Sequence, residues 1–330
     1  MEELKSYIAF AHKKHASDVH LVSGASAMMR VHGELSLINK DVLTPNAVMK
    51  IAASLLDQTQ LKRLDEIGDV DVGAVISEVG LRVNIHKQTQ GLSLAIRLIP
   101  SKIPTPDELG FHETMRQIPL MEEGFVIVSG ATGTGKSTTL ASILQEITLN
   151  SARHVITLED PIEYRFSQKK SLIEQRQLGL HFPSFEKGLR HVLRQDPDVI
   201  VVGEMRDPET ISLALTAAET GHLVLSTLHA PNAAEVVERV VNVFEGAQQK
   251  QVLVQLAATL KIVVAQKLLP SLDGGLVAAR EILTTTVAVQ NAIRQNNLSV
   301  IRSSIETGKK QGMITMELAI KELQKQGLIE

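Results

Sequence analysis

Gly130-Ala131-Thr132-Gly133-Thr134-Gly135-Lys136-Ser137 is the stretch of this 330-residue chain whose reading decides the fold. It fills every fixed position of the phosphate-binding loop pattern. The apolar run Phe125-Val-Ile-Val-Ser129 stands directly before it and reads as a buried strand. Thr138-Thr-Leu-Ala-Ser-Ile-Leu-Gln-Glu-Ile147 stands directly after it and reads as a helix. These two flanks separate the stretch from a chance glycine-rich turn. Glycines let backbone N–H groups converge on phosphate oxygens, and the helix N-terminus adds positive potential. Residues 130–138, with Thr138 the last of them, are therefore the expected phosphate cradle. Lys136 is expected to reach the β- and γ-phosphates of ATP, and Ser137 to ligate Mg²⁺.

Outward from the loop, short apolar runs recur at His154-Val-Ile-Thr-Leu158, Val199-Ile-Val-Val202 and Leu223-Val-Leu-Ser-Thr-Leu228, with helical stretches between them. This is the α/β pattern of a mainly parallel sheet covered by helices. Ligands in such sheets gather beyond the C-terminal strand ends. Three polar elements occupy such positions. The run at 199–202 leads into Gly203-Glu204-Met-Arg-Asp207, with glycine where the second nucleotide-site motif usually has aspartate. Glu204 is placed to orient or deprotonate an attacking water; the bland alternative is a surface glutamate. Thr157-Leu-Glu159-Asp160-Pro161-Ile-Glu163-Tyr164 clusters acids after another run. Glu159 or Glu163 can hold waters around Mg²⁺, which keeps much of its hydration shell; solvated loop acids are the alternative. His222 and His229 flank the run at 223–228. Seven extended residues span roughly 20 Å, so the two cannot share a metal. His229 fits a sensor of the γ-phosphate, whereas His222 reads first as a loop histidine.

Pro100-Ser-Lys-Ile-Pro104-Thr-Pro106 reads as a semi-rigid linker, since such proline density suits neither helix nor central strand. It divides a first domain, residues 1–99, from a second, residues 107–330, whose part from 270 onward is expected to be helical. In the first domain, residues 3–14 and 44–64 read as helices, the latter capped by Thr44 with Pro45 in its first turn. The strands are expected afterwards, at 80–86 and 92–98, where apolar and polar residues alternate. A hairpin centred between Thr89 and Gln90 sets Arg82 opposite Arg97 on the polar face. Like charges there repel, so the pair reads either as two solvated arginines or as an anion clamp.

With 34 basic and 37 acidic residues, 3% aromatics and no tryptophan, the chain lacks the usual footprint of a nucleic-acid binder. The absence of cysteine excludes disulfides and thiolate zinc sites. No apolar stretch is long enough to span a bilayer. The N-terminus lacks a signal-peptide pattern, and a cytoplasmic location is expected.

Together with Ala16-Ser-Asp-Val-His-Leu21 and Arg30-Val-His-Gly-Glu34, these elements in this order resemble the type II and type IV secretion ATPase superfamily. The resemblance covers nearly the whole chain and is greatest for the pilus-retraction branch. It implies a PAS-like α+β N-terminal domain, a RecA-like ATPase domain and a homohexameric ring. It also implies ATP with Mg²⁺, and catalytic roles for Glu163, Glu204 and His229. Arginines matching Arg82 and Arg97 would contact nucleotide. The implied partner is an inner-membrane pilus platform protein, with a paralogous pilus motor as a second candidate; the implied location is the cytoplasmic face of that membrane. The chain starts at the PAS-like domain and has no four-cysteine insertion, both features of the retraction branch. It departs from the pattern at Ala230-Pro-Asn-Ala, where Thr and small polar residues are usual, and at Ala288-Val-Gln-Asn-Ala-Ile-Arg294. There Gln290 and Ala292 replace the Arg and Leu of the retraction motif. An assembly or secretion motor, or a low-activity accessory motor, therefore stays open.

Overall fold

The computed structural model describes residues 2–14, 16–31, 33–77, 79–99 and 102–330. Pro100 and Ser101 of the linker reading, and His32 of the second N-terminal motif, lie outside them. The chain divides into two compact units: residues 1–102 with 161–165, and residues 103–160 with 166–330.

The first unit runs α1 (Glu2–Lys13), β1 (Asp18–Val22), β2 (Ser26–Val31), β3 (Glu34–Val42), α2 (Pro45–Ala53), α3 (Gln58–Ile67), β4 (Asp69–Ile76), β5 (Val79–Gln88) and β6 (Gly91–Ile99). The strands form one antiparallel sheet in the order β3-β2-β1-β6-β5-β4. One face carries Val19, Leu21, Val72, Val83, Ile85, Leu94 and Ile96, buried with Leu4, Ile8, Val48 and Ile51 of the helices. Burying each such aliphatic side chain contributes about 1.5–3 kcal/mol.

Two expectations need correcting here. Strands β1 to β4 precede the two that the alternation marks. β1 is too short for a clear period, and edge strand β3 leaves Leu35 and Leu37 exposed, so neither announces a buried face. The single helix expected at 44–64 is two. Thr44 caps α2 as expected, but Asp57 starts a new helix with a reciprocal capping box. Asp57 Oδ1 accepts from Gln60 N at 2.8 Å, and Gln60 Oε1 from Asp57 N at 3.0 Å.

The second unit runs α4 (Glu113–Arg116), β7 (Gly124–Ser129), α5 (Lys136–Asn150), β8 (His154–Glu159), β9 (Leu172–Gln177), α6 (Phe185–Val192), β10 (Val199–Val202), α7 (Pro208–Glu219) and β11 (Leu223–Leu228). It continues through α8 (Ala233–Asn242), α9 (Ala247–Thr259), β12 (Leu260–Pro270), β13 (Leu276–Thr284), α10 (Val287–Arg294), α11 (Leu298–Thr307) and α12 (Met316–Lys325). Its sheet order is β13-β12-β7-β11-β10-β8-β9, parallel except for the β12–β13 pair. The four apolar runs are its central strands. Alternate residues of each enter opposite cores: Phe125, Ile127, Ile200 and Val202 on one face, Val126, Val128, Val199 and Val201 on the other. That is why they read as unbroken apolar runs. The region expected to be helical from 270 instead opens with β13. Its burial does not alternate, since Ala279 and Arg280 are both buried, as are Ile282 and Leu283; the helical part of the region begins at Val287.

Asp57→Ala removes the cap that separates α2 from α3. We expect a loss of about 1 kcal/mol and a lower midpoint in thermal unfolding followed by circular dichroism. An unchanged midpoint would mean that the core alone holds this helix start.

Candidate active site

The register levels the C-terminal ends of β7, β11, β10 and β8: Ser129 pairs with Leu228, Val202 with Ser226 and Leu158 with Val202. Each end is followed by one of the polar elements read from the sequence. The phosphate loop leaves β7 and Lys136 opens α5. Gly130 has φ +148°, and a Cβ there would stand 2.5 Å from the backbone O of Gln266, so only glycine fits. Lys136 Nζ donates to the carbonyl oxygens of Gly130 and Ala131, each at 2.9 Å. Ser137 and Thr138 are half-buried in the first turn of α5.

Gly203 has its own steric reason. A Cβ there would meet Leu158 O at 3.1 Å and Glu159 Cα at 3.3 Å, because β8 ends against it. Gly203 N donates to Leu158 O at 2.7 Å, and Thr227 Oγ1 donates to Gly203 O at 2.6 Å. A side chain here would crowd the end of β8, and the carboxylate appears one residue later.

Glu204 is half-buried. Arg206 Nη2 donates to its Oε2 at 2.7 Å, and His229 Nε2 stands 3.4 Å from its Oε1. Burial alone would push this carboxyl up, but the hydrogen bond and charge of Arg206, helped by Lys136, hold it below the usual carboxylate range. Burial and then Lys136 push His229 below the usual histidine range. Both effects favour the uncharged imidazole, while the nearby Glu204 carboxylate opposes them. Glu159 accepts from Thr157 Oγ1 at 2.5 Å and from Gln175 Nε2 at 3.1 Å, both on Oε1. His222 accepts or donates locally, within 3.2 Å of Thr220 Oγ1 and 3.0 Å of Ala217 O, and behaves as a loop histidine.

The structure thus brings together the loop, Glu204 and His229, with Glu159 at the neighbouring strand end. Glu163 is exposed and lies in the 161–165 segment that groups with the first unit. In that unit Arg82 and Arg97 are direct cross-strand partners, as the hairpin reading expects. Both are exposed. A row Arg30, Asp18, Arg97, Arg82 crosses the sheet. Asp18 Oδ1 takes the Arg97 Nε at 3.1 Å, which relieves one of the like-charge contacts; Arg82 has no ion-pair partner among the described residues.

Three residues escaped the sequence reading. Arg206 lies within the quoted acidic motif but was given no role there. Gln266 and Arg280 sit opposite each other on β12 and β13. Gln266 is 1% exposed, and its signal was a polar residue directly after the apolar run 262–265. Arg280 is 6% exposed. Its Nη1 donates to Leu109 O at 2.7 Å, and its guanidinium lies 5.2 Å from the Phe111 ring centroid. Burial pushes Arg280 down to about 10, so it remains charged at pH 7. Both residues line a cavity of about 790 Å³ shared with Thr134, Gly135 and Thr138.

The family model for type II/IV secretion system proteins matches residues 1–326. The chain belongs to this family. It is 40% identical over 328 residues to the "Type IV pilus retractation ATPase PilT" of Pseudomonas aeruginosa, covering 99% of this chain and 95% of that protein. It is 43% identical over 318 residues to the "Uncharacterized protein YggR" of Escherichia coli, covering 96% of each. Among solved structures, the pilus retraction motor PilT with bound ADP superposes with a TM-score of 0.92 at 38% identity, over 99% of this chain and 94% of that one. That solved motor therefore shares the α/β fold described above. Among the described residues, no helix is long and apolar enough to cross a membrane.

Arg206→Ala removes the hydrogen bond and charge that depress Glu204, while the burial that raises it stays. The carboxyl should then hold its proton to higher pH, and the acid limb of the pH–rate profile for ATP hydrolysis should move upward. An acid limb that stays in place would detach Glu204 from that limb.

Proposed function

We propose that this chain is a Mg²⁺-dependent ATPase that drives retraction of a type IV pilus. It works as a homohexameric ring on an inner-membrane platform protein, at the cytoplasmic face. The observation that carries this reading is one strand edge holding a complete phosphate loop, Glu204 and His229, in a chain that matches a retraction motor over 99% of its length. Residues 1–99 would be the mobile N-terminal domain and residues 107–330 the ATPase domain, joined by 100–106.

The loop amides and Lys136 hold the phosphates, and the nucleoside half enters the cavity beside Thr134, Gly135 and Thr138. Ser137 is placed as a Mg²⁺ ligand, with Glu159 or Glu163 reached through water. This sparse donor set suits an ion that takes most of its ligands from phosphates and water. When bound, Mg²⁺ neutralises charge on the β- and γ-phosphates. Glu204, kept ionised by Arg206, orients the attacking water and accepts its proton. His229, beside Glu204, stands where it can register the γ-phosphate. Arg82 and Arg97 would supply positive charge from the first domain, which stabilises charge that grows in the transition state.

One observation supports a second reading, a low-activity accessory motor. On α10, Val289, Ala292 and Ile293 are buried, and exposed Asn291 is bonded to Arg294 at 2.9 Å. Gln290 thus leaves this helix one cationic group short of the retraction motif.

Lys136→Ala should cost ATP affinity, whereas Glu204→Gln should keep affinity and lose turnover by about 10²-fold or more; equal turnover in Glu204→Gln and wild type would refute the base. Arg82→Ala and Arg97→Ala should each slow hydrolysis, and intact rates in both would remove the clamp. In the native host, gene deletion and a Glu204→Gln strain should both give excess surface pili. Bald cells would mean an assembly motor, and normal piliation would favour the accessory reading.

A further inference from the structure

β12 runs past the end of its neighbour. It pairs with β7 only as far as Ala265 opposite Ser129, whereas its pairing with β13 continues from Gln266 to Pro270. Residues 266–270 therefore overhang the sheet edge and form a wall beside the phosphate loop. Gln266 is the first residue of that overhang, level with Gly130. Its backbone O is the atom that a Cβ at Gly130 would strike, and its side chain turns into the loop. Nε2 donates to Thr134 O at 2.5 Å, and Oε1 accepts from Thr139 Oγ1 at 2.9 Å. A carbonyl can only accept, so the Thr134 contact fixes which end of the carboxamide is which.

We infer that Gln266 is a positioning residue for phosphate binding. The peptide between Thr134 and Gly135 has two useful orientations. One turns the Gly135 N–H toward an anion in the cradle; the other presents the Thr134 carbonyl, which repels it. Gln266 holds that carbonyl aside. Thr139 in turn holds Gln266, so the loop, helix α5 and the overhang of β12 are locked before nucleotide arrives. The contribution is made equally to bound ATP and to the transition state, because the loop amides grip the phosphates in both. Its loss should therefore appear in KM far more than in kcat. This inference rests on the ATP-binding reading of the loop.

The test compares wild type, Gln266→Met, Gln266→Glu and Thr139→Val. Gln266→Met keeps the volume and loses both hydrogen bonds. Gln266→Glu keeps an acceptor for Thr139 but sets an anion against Thr134 O. The expected result is a rise in KM for ATP of about tenfold in Gln266→Met, a larger rise in Gln266→Glu, and kcat within about threefold of wild type. The rise in thermal midpoint on adding ATP should shrink in the same order. A purely structural glutamine would lower the midpoint of the nucleotide-free protein and leave that ATP-dependent rise unchanged. An unchanged KM and an unchanged ATP-dependent rise in folded Gln266→Met would overturn the inference. Should Gln266→Met not fold, Thr139→Val decides, since it cuts the same lock from the helix side; an unchanged KM there overturns the inference too. Wild type that binds no ATP would instead sink the reading of the loop itself.

Discussion

The parallel strands β7, β11, β10 and β8 are buried on both faces, and that constraint levels their C-terminal ends. Everything chemical follows from it. A strand buried on both sides cannot slip by one residue without exchanging the contents of two cores. The loop at 130–137, the carboxylates Glu159 and Glu204, and His229 are consequently delivered to one edge with little freedom in height. Close packing then sets which residue types fit there. The β12 backbone excludes any side chain at Gly130, and the end of β8 crowds position 203. Glycine at 203, where the second nucleotide motif usually carries an acid, suits this crowded strand end.

Electrostatics finishes what packing starts. Burial by itself pushes the Glu204 carboxyl toward its protonated form, which is a poorer proton acceptor. Arg206 outweighs that push and favours the ionised form through a hydrogen bond made two residues away along the chain. Burial of its own ring, together with Lys136, pushes His229 below the usual histidine range. The permanent cationic charge of the site therefore sits on Lys136 and Arg206. In the first unit the arginines are arranged differently. Asp18 partners Arg97, while Arg82 stands opposite with no ion-pair partner among the described residues.

Much of this was legible because its signals are local. The phosphate loop is contiguous, the buried strands are unbroken apolar runs, and the Arg82–Arg97 register follows from a hairpin with a two-residue turn. What escaped depends on partners distant in sequence or on short polar signals. The break between α2 and α3 is set by Asp57 and Gln60, within a stretch whose apolar spacing still reads as one helix. β3 sits at a sheet edge and exposes its leucines, so it does not look half-buried. Gln266 acts on Thr134, 132 residues away, and only the β12 overhang shows why a buried strand tolerates a carboxamide there. Glu163 was legible as an acid of the motif, but its grouping with the first unit reflects tertiary structure that no spacing within 157–164 encodes.

The central claim is that this edge turns over ATP. The most direct measurement is phosphate release by the purified full chain, with ATP in excess, with and without Mg²⁺. The account predicts sustained release over many turnovers that stops when Mg²⁺ is chelated. Tight ATP binding with no release beyond the first turnover would contradict it.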